Sequence, residues 1–180
     1  MIRARSTFTD EINRFATRSA LDLDLVEAVV LTESNGNPWA TRYEPGYRWL
    51  WDVRARAPYR APSDEMLARD VPPPDFPSNA GTAATEWIGQ RTSYGLMQIM
   101  GATARGRNFA SDRFLTELCD PETNLDICTD YLSHLIRRAG GDISFGLGAY
   151  NAGFKHAASE AGKKYAAKVL AIRSQLEPRT

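Results

Sequence analysis

One apolar stretch near the start of the chain decides the fold, and it reads Leu25-Val26-Glu27-Ala28-Val29-Val30-Leu31-Thr32-Glu33-Ser34. On a helix of about 3.6 residues per turn, Leu25, Val29 and Glu33 fall on one stripe. Glu27 points away from that stripe and is expected to be an ordinary solvent-exposed carboxylate. The stretch therefore predicts a core helix whose apolar face ends in the carboxyl group of Glu33.

The position of Glu33 supports two interpretations. A carboxyl group among apolar neighbours is desolvated in its charged form, so we expect the pKa of Glu33 to be raised, as a general acid requires. The alternative is an ordinary glutamate at a solvated helix end, because the helix stop Asn35-Gly36-Asn37-Pro38 follows directly. Periodicity alone leaves both interpretations open.

Length and composition are those of an ordinary globular protein. The chain has 180 residues, which predicts one domain over residues 1–180. Its formal net charge is zero, so neither nucleic acid nor an anionic membrane is favoured as a partner. No apolar run approaches the roughly 20 residues of a membrane span, and the basic start lacks the apolar core of a secretory signal. We expect a monomer made in the cytoplasm.

Two cysteines, Cys119 and Cys128, have only His134 and His156 as companions for a metal. These residues are too few and wrongly spaced for a zinc site, so no metal is expected. A disulfide and two buried free thiols both remain open.

The rest of the pattern predicts a mainly α fold with almost no strand signals. Asp120-Pro121 and Asp142 are expected to begin two helices, and a last helix carries Tyr165 and Val169 at helical spacing. A further helical stretch is expected to begin at Gly95 and end near Gly106.

Residues 43–93 interrupt this pattern. They hold seven of the ten prolines and seven aromatic residues, so no long helix can run through them. We expect an ordered aromatic-rich insertion with short helices near 63–69 and 83–90, lining a groove. Its tryptophans, Trp49, Trp51 and Trp87, are candidates for stacking on sugar faces or for anchoring the insertion to the core.

Four pieces of sequence carry a resemblance, and in order they are Glu33-Ser34, Tyr94-Gly95-Leu96-Met97-Gln98-Ile99, Ala149-Tyr150-Asn151-Ala152-Gly153, and Tyr165 with Val169. This order resembles the soluble lytic transglycosylase family, whose lysozyme-like helical domain is shared with goose-type lysozymes. The resemblance implies cleavage of the β-1,4 bond between N-acetylmuramic acid and N-acetylglucosamine in peptidoglycan. It makes Glu33 the general acid and base and requires no cofactor.

The resemblance also implies roles for the motif residues. The pair Tyr150-Asn151 resembles the pair that contacts an N-acetyl group, and Tyr165 resembles a late tyrosine whose hydroxyl approaches the catalytic carboxyl. The remaining substrate-binding candidates are Ser34, Tyr94, Gly95, Met97 and Gln98. Each has a structural alternative: a helix-end hydrogen bond for Ser34, a turn for Gly95, the core for Met97 and backbone contacts for the Gln98 amide.

The product depends on whether a second carboxylate faces Glu33. A hydrolase uses such a group, whereas a lytic transglycosylase uses the 6-hydroxyl of the sugar and leaves a 1,6-anhydro end. The candidates in the insertion are Glu44, Asp52 and Glu86, with Arg42 a possible ion-pair partner of Glu44. The sequence departs from the family at Arg42, where a serine is usual.

Three functions therefore remain, with the transglycosylase preferred. The alternatives are a goose-type or phage-type lysozyme and a non-catalytic peptidoglycan-binding module. Without a signal segment, delivery to the cell wall by a phage or by a secretion apparatus is expected.

Overall fold

A computed structural model describes residues 2–69 and 71–178 of the chain. The fold is mainly helical, as the sequence predicts. The chain forms two compact units, residues 1–36 with 128–180 and residues 37–127. The assignment of one domain to residues 1–180 stays a prediction.

The first unit is a set of helices packed around the stretch that begins at Leu25. Its helices are α1 (Thr9–Arg18), α2 (Leu23–Glu33), most of α6 (Pro121–Arg138), α7 (Ile143–Ala152) and α8 (Glu160–Arg173). Helix α2 packs on α1 and α8, and α7 packs on α8. The predicted stripe is confirmed, since Leu25 and Val29 are buried.

The helices of this unit begin at the polar residues that the sequence indicates. The carboxylate of Asp22 accepts from the Leu25 amide at 2.8 Å, and that of Asp142 accepts from the Phe145 amide at 2.9 Å. Both contacts satisfy amides that a helix start leaves without partners, so they fix where α2 and α7 begin.

The prediction that Glu27 is solvent-exposed is wrong. Its side chain is 0% exposed, and Oε1 accepts from the backbone amide of Ser6 at 2.6 Å. The extended N-terminal segment covers this side of α2, where the Arg5 guanidinium also donates to Asp24 at 2.9 Å. Helical periodicity cannot reveal a covering segment that belongs to no helix.

The second unit combines short helices with short strands. Its elements are β1 (Thr41–Tyr43), β2 (Trp51–Asp52), β3 (Ala57–Pro58), α3 (Asp64–Ala68), α4 (Ala83–Gln90), β4 (Thr92–Tyr94), β5 (Ile99–Met100), α5 (Gly101–Gly106), a 3-10 helix (Leu115–Cys119) and the start of α6. An antiparallel sheet has the order β1-β4-β5, with Thr41 opposite Tyr94, and β2 pairs with β3. These strands have two or three residues, too few for an alternating pattern to be recognised.

The helix predicted from Gly95 is wrong in its first half, because the helix α5 begins only at Gly101. Gly95 and Gln98 have φ angles of 74° and 50°, which an α-helix cannot accommodate. Residues 95–98 instead form the turn between β4 and β5. The apolar residues there have helical spacing, but the positive φ angle that Gly95 allows makes the chain turn instead.

The insertion is anchored by the end of α4. The Gln90 amide accepts from the Trp51 amide at 2.7 Å and donates to the Trp51 carbonyl at 2.9 Å. The buried guanidinium of Arg91 donates to the carbonyls of Pro45 and Leu67. The short helices predicted near 63–69 and 83–90 are confirmed as α3 and α4.

Within the described ranges, no helix has the length and apolar character needed to cross a membrane.

Candidate active site

Glu33 is the last residue of α2 and is half-buried. The next residue, Ser34, holds the helix end: its hydroxyl donates to the Val30 carbonyl at 3.2 Å and accepts from the Gly36 amide at 3.2 Å. This confirms the local hydrogen bonds expected of Ser34. The carboxyl of Glu33 thus lies at the end of a helix whose start is capped by Asp22 and whose apolar face is buried in the core.

Tyr165 lies on α8 and donates its hydroxyl to Glu33 Oε1 at 2.6 Å. The contact joins residues 132 positions apart, and the packing of α8 on α2 brings them together. Burial and the adjacent Glu33 carboxyl raise the pKa of Tyr165 well above its usual range. The hydroxyl is therefore a neutral donor that holds one oxygen of Glu33 in place.

Tyr150 and Cys128 form a second layer beside this pair. The Tyr150 hydroxyl on α7 is hydrogen-bonded to the buried thiol of Cys128 on α6. Burial raises the pKa of Cys128 to about 12, and burial beside Cys128, Tyr165 and the Glu33 carboxyl raises the pKa of Tyr150 well above its usual range. Both groups stay protonated and neutral at physiological pH.

Cys128 is a neighbour of the site that was not predicted from the sequence. The signal was present in part, because Cys128 lies at helical spacing with Leu125 and Leu132 on a core face of α6. Both Cys128 and Cys119 are buried free thiols, which settles the choice that the sequence left open.

Asn151 follows Tyr150 in α7 and is exposed. The helix ends one residue later, and Gly153 follows with a φ angle of 79°. The contact of Asn151 with an N-acetyl group stays a prediction.

The Gly-Leu-Met-Gln motif lies in the second unit, where Gln98 is occupied by its surroundings. Its amide nitrogen donates to the carbonyls of Ala40 and Gly95 at 2.8 and 2.9 Å, and its oxygen accepts from the Ser93 hydroxyl at 2.9 Å. These contacts favour the structural alternative for the Gln98 amide.

The other motif residues pack around the side chain of Asn124. A Cβ atom at Gly95 would collide with Asn124 Nδ2 and with the Leu118 carbonyl oxygen, so this position requires glycine. Asn124 accepts from the Met97 amide at 2.9 Å and donates to the Tyr94 carbonyl at 2.9 Å. Met97 is fully buried and Tyr94 nearly so, which favours core roles for both. No local sequence signal pointed to Asn124, since its contacts are to a turn about 30 residues earlier in the chain.

The three candidate second carboxylates all lie in the second unit and have other partners. Glu86 is 2% exposed, and its two oxygens accept from Arg105 at 2.8 Å each. Asp52 accepts from the amides of Arg54 and Ala55 at 2.9 and 2.8 Å, and Glu44 pairs with Arg42. Glu86 is therefore a structural carboxylate, buried where α4 packs on α5.

The structure thus brings three predicted residues together, Glu33, Tyr150 and Tyr165, and adds Cys128. A hydrogen bond from a neutral phenol orients an acid and leaves it able to give and take a proton. Among the residues that the structure describes, no group of three or more His, Cys, Asp or Glu residues is placed to hold a metal ion.

Comparison with known proteins gives the family. The model of the transglycosylase SLT domain matches residues 74–172, more than half of the chain. The match begins after Glu33, so the carboxyl at the centre of the site lies outside it.

Two curated relatives are similar over a short stretch. Soluble lytic murein transglycosylase of Escherichia coli K12 and that of Escherichia coli O157:H7 are each 41% identical over 63 residues. This stretch is 33% of the chain but only 10% of each relative. On the extent of the family match, the chain belongs to the transglycosylase SLT domain family.

Proposed function

We propose that this protein is a lytic transglycosylase that cleaves the β-1,4 bond between N-acetylmuramic acid and N-acetylglucosamine in peptidoglycan. The observation that carries the proposal is the 2.6 Å hydrogen bond from the Tyr165 hydroxyl to Glu33 Oε1, in a chain of the SLT family. The bond orients a carboxyl group at the end of a rigid helix, as proton transfer to a fixed glycosidic oxygen requires.

In the proposed reaction, Glu33 gives its proton to the glycosidic oxygen as the bond to C1 of the muramic acid breaks. Positive charge develops on that sugar ring, and the second sugar leaves with a new hydroxyl. The Glu33 carboxylate then takes the proton of the muramic acid 6-hydroxyl while that oxygen bonds to C1. The product is a 1,6-anhydro end, Glu33 regains its proton, and no water is consumed.

This intramolecular route agrees with the occupation of the other carboxylates. Glu86 is held by Arg105 and Asp52 by two turn amides, so neither has a free role as a second catalytic group. Glu44 is paired with Arg42. A reaction that needs one carboxylate suits this arrangement better than a hydrolase with two.

The remaining assignments belong to the same proposal. Tyr150 and Asn151 contact the N-acetyl group next to the scissile bond, and Ser34 keeps the Glu33 helix end in position. The protein acts as a monomer on glycan strands of the bacterial cell wall.

The test is mass spectrometry of the fragments released from purified sacculi by the wild-type protein, with Glu33→Gln and Glu160→Gln beside it. Glu160 is an exposed glutamate on α8 and provides the matched control. We expect anhydro-muramic fragments from wild type and Glu160→Gln and none from Glu33→Gln. Reducing ends would instead indicate a lysozyme, and binding to sacculi without release by wild type would indicate a non-catalytic module.

A further inference from the structure

The insertion contains a cavity that the proposed reaction does not use. Its volume is about 370 Å³, and it lies in the second unit between the β2–β3 hairpin and the end of α5. This volume is in the range of small-ligand sites. Its walls are mainly apolar, and four aromatic residues are among the lining: Tyr47, Trp49, Trp51 and Tyr59.

The four tryptophans of the chain have different environments. Trp87 is 0% exposed and packs in the core against Phe76 at a ring distance of 5.0 Å. Trp49 is 70% exposed at the cavity, where its ring meets the Tyr47 ring edge-on at 5.6 Å. Trp87 anchors the insertion in the core, whereas most of the Trp49 side chain remains in contact with solvent. Unlike an isolated exposed residue, Trp49 lines a cavity together with other aromatic rings, as is usual for a ligand pocket.

Polar groups stand beside these rings. The hydroxyls of Tyr47 and Thr103 are 3.4 Å apart, a long hydrogen bond that leaves both able to bond to a ligand. Arg48 and Arg107 add guanidinium groups to the lining. A sugar ring has an apolar face of C–H groups and a rim of hydroxyls, which matches aromatic walls with hydroxyl and guanidinium donors at their edge.

We propose that this cavity is an accessory saccharide site that binds a short segment of β-1,4-linked N-acetylhexosamine, stacked on Trp49 and Trp51. The proposal rests on the proposed function for the identity of the glycan, but it requires no catalysis at Glu33. Binding here would hold a glycan strand by a second point of attachment while another part of it is cleaved.

The test uses the full chain carrying Glu33→Gln, labelled with 5-fluorotryptophan and titrated with the N-acetylglucosamine trimer. The four fluorine signals are assigned by single Trp→Phe substitutions. We expect the signals of Trp49 and Trp51 to shift together with one binding constant, while that of the buried Trp87 stays in place. If the Trp49 and Trp51 signals do not shift even at the highest trimer concentration of the titration, the proposal is wrong.

Two variants sharpen the result. Trp49→Ala is expected to weaken the binding seen at Trp51 roughly tenfold, and Trp39→Ala, at a tryptophan that is 74% exposed but outside the cavity lining, is expected to leave it unchanged. A Cβ atom at Gly106 would lie 3.4 Å from the Trp51 ring, so Gly106→Leu is expected to fill the cavity and abolish the shifts. Equal effects of Trp49→Ala and Trp39→Ala would overturn the proposal. The fluorine shifts do not depend on turnover, so they test the accessory site independently of the reaction. If only the reaction is misassigned, the sacculus digestion gives the unexpected result and the fluorine shifts do not change.

Discussion

Two glutamates of this protein, Glu33 at the end of α2 and Glu86 in α4, occupy opposite kinds of environment. Glu33 is half-buried and accepts from the neutral hydroxyl of Tyr165. Glu86 is almost fully buried and has both oxygens on the guanidinium of Arg105. A neutral partner orients a carboxyl and leaves it able to exchange a proton, whereas a buried cation binds it into the structure. Burial alone therefore does not mark a candidate catalytic acid, and the charge of the hydrogen-bond partner distinguishes these two glutamates.

The largest expected effect is on turnover at Glu33. Glu33→Gln removes the exchangeable proton and keeps the side-chain shape, so we expect the rate on sacculi to fall by roughly 10²- to 10⁴-fold. The free energy of unfolding should change little, because the carboxyl lies at a partly exposed helix end. Rates from turbidity loss and a urea denaturation curve measure the two quantities. A fall below twofold in rate would remove Glu33 from the reaction.

The opposite result is expected at Glu86. Glu86→Gln leaves the buried Arg105 without its counter-charge, which should lower the free energy of unfolding by about 3 to 5 kcal/mol. The control is Glu65→Gln, which breaks an exposed pair with Arg69 and should cost well under about 1 kcal/mol. Urea denaturation measures both changes. Turnover per folded molecule should stay near wild type, and a loss as large as that of Glu33→Gln would contradict the assignment.

A smaller effect is expected when the neutral partner of Glu33 is removed. Tyr165→Phe deletes one hydrogen bond to a carboxyl, worth about 1.5 to 3 kcal/mol, so the rate should fall roughly ten- to hundredfold. Ser174→Ala also deletes a hydroxyl hydrogen bond at the C-terminal end of α8, the exposed one to the Ala171 carbonyl, and it should leave the rate near wild type. Steady-state rates on sacculi decide the matter. Equal rates for Tyr165→Phe and wild type would mean that the bond to Glu33 does not matter for the reaction.

At neutral pH the smallest effect is expected from the protonated layer formed by Cys128 and Tyr150, which matters for stability only in alkaline solution. In the folded protein the pKa of Cys128 is about 12, whereas a thiol in the unfolded chain has a pKa of about 8.5. Above about pH 8.5 the unfolded state therefore binds fewer protons than the folded state. The contribution of Cys128 to the free energy of unfolding is fully present below that pH and is lost as the pH rises toward 12. For one such group the slope is about 1.4 kcal/mol per pH unit.

Cys128→Ala should remove this contribution. Urea denaturation at several pH values between about 8 and 10 should show a clearly flatter decline for the variant than for wild type. Parallel declines would contradict the role given to Cys128. Tyr150 and Tyr165, whose pKa values are also raised, act in the same direction only above about pH 10.

The helices of the first unit could be predicted because each has its own signals. Asp22, Asp142 and the apolar face of α2 act within a few residues of chain, and the structure confirms them. The approach of Tyr165 to Glu33 is more distant in sequence, and the order of the motifs indicated it. The burial of Glu27 could not be predicted, because it depends on the amide of Ser6 in a segment without periodicity.

The second unit was less predictable for the same reason. The turn at Gly95 and Gln98 interrupts a pattern that looks helical, and its conformation is fixed by Asn124 and Ala40. The insertion is ordered by Gln90 and Arg91, whose contacts reach backbone groups about 20 to 50 residues away. Side chains that satisfy distant backbone groups leave no periodic trace in a sequence.

The sequence by itself determined the helical class, the position of Glu33 at the end of an apolar helix face and the order of motifs that indicates the family. These follow from local periodicity, capping and residue identity, which act over a few residues. Only the tertiary structure decided which partner each carboxyl has: a neutral phenol for Glu33, a guanidinium for Glu86 and a backbone amide for Glu27. Electrostatic environment depends on distance in space, and packing brings together groups that the chain keeps far apart.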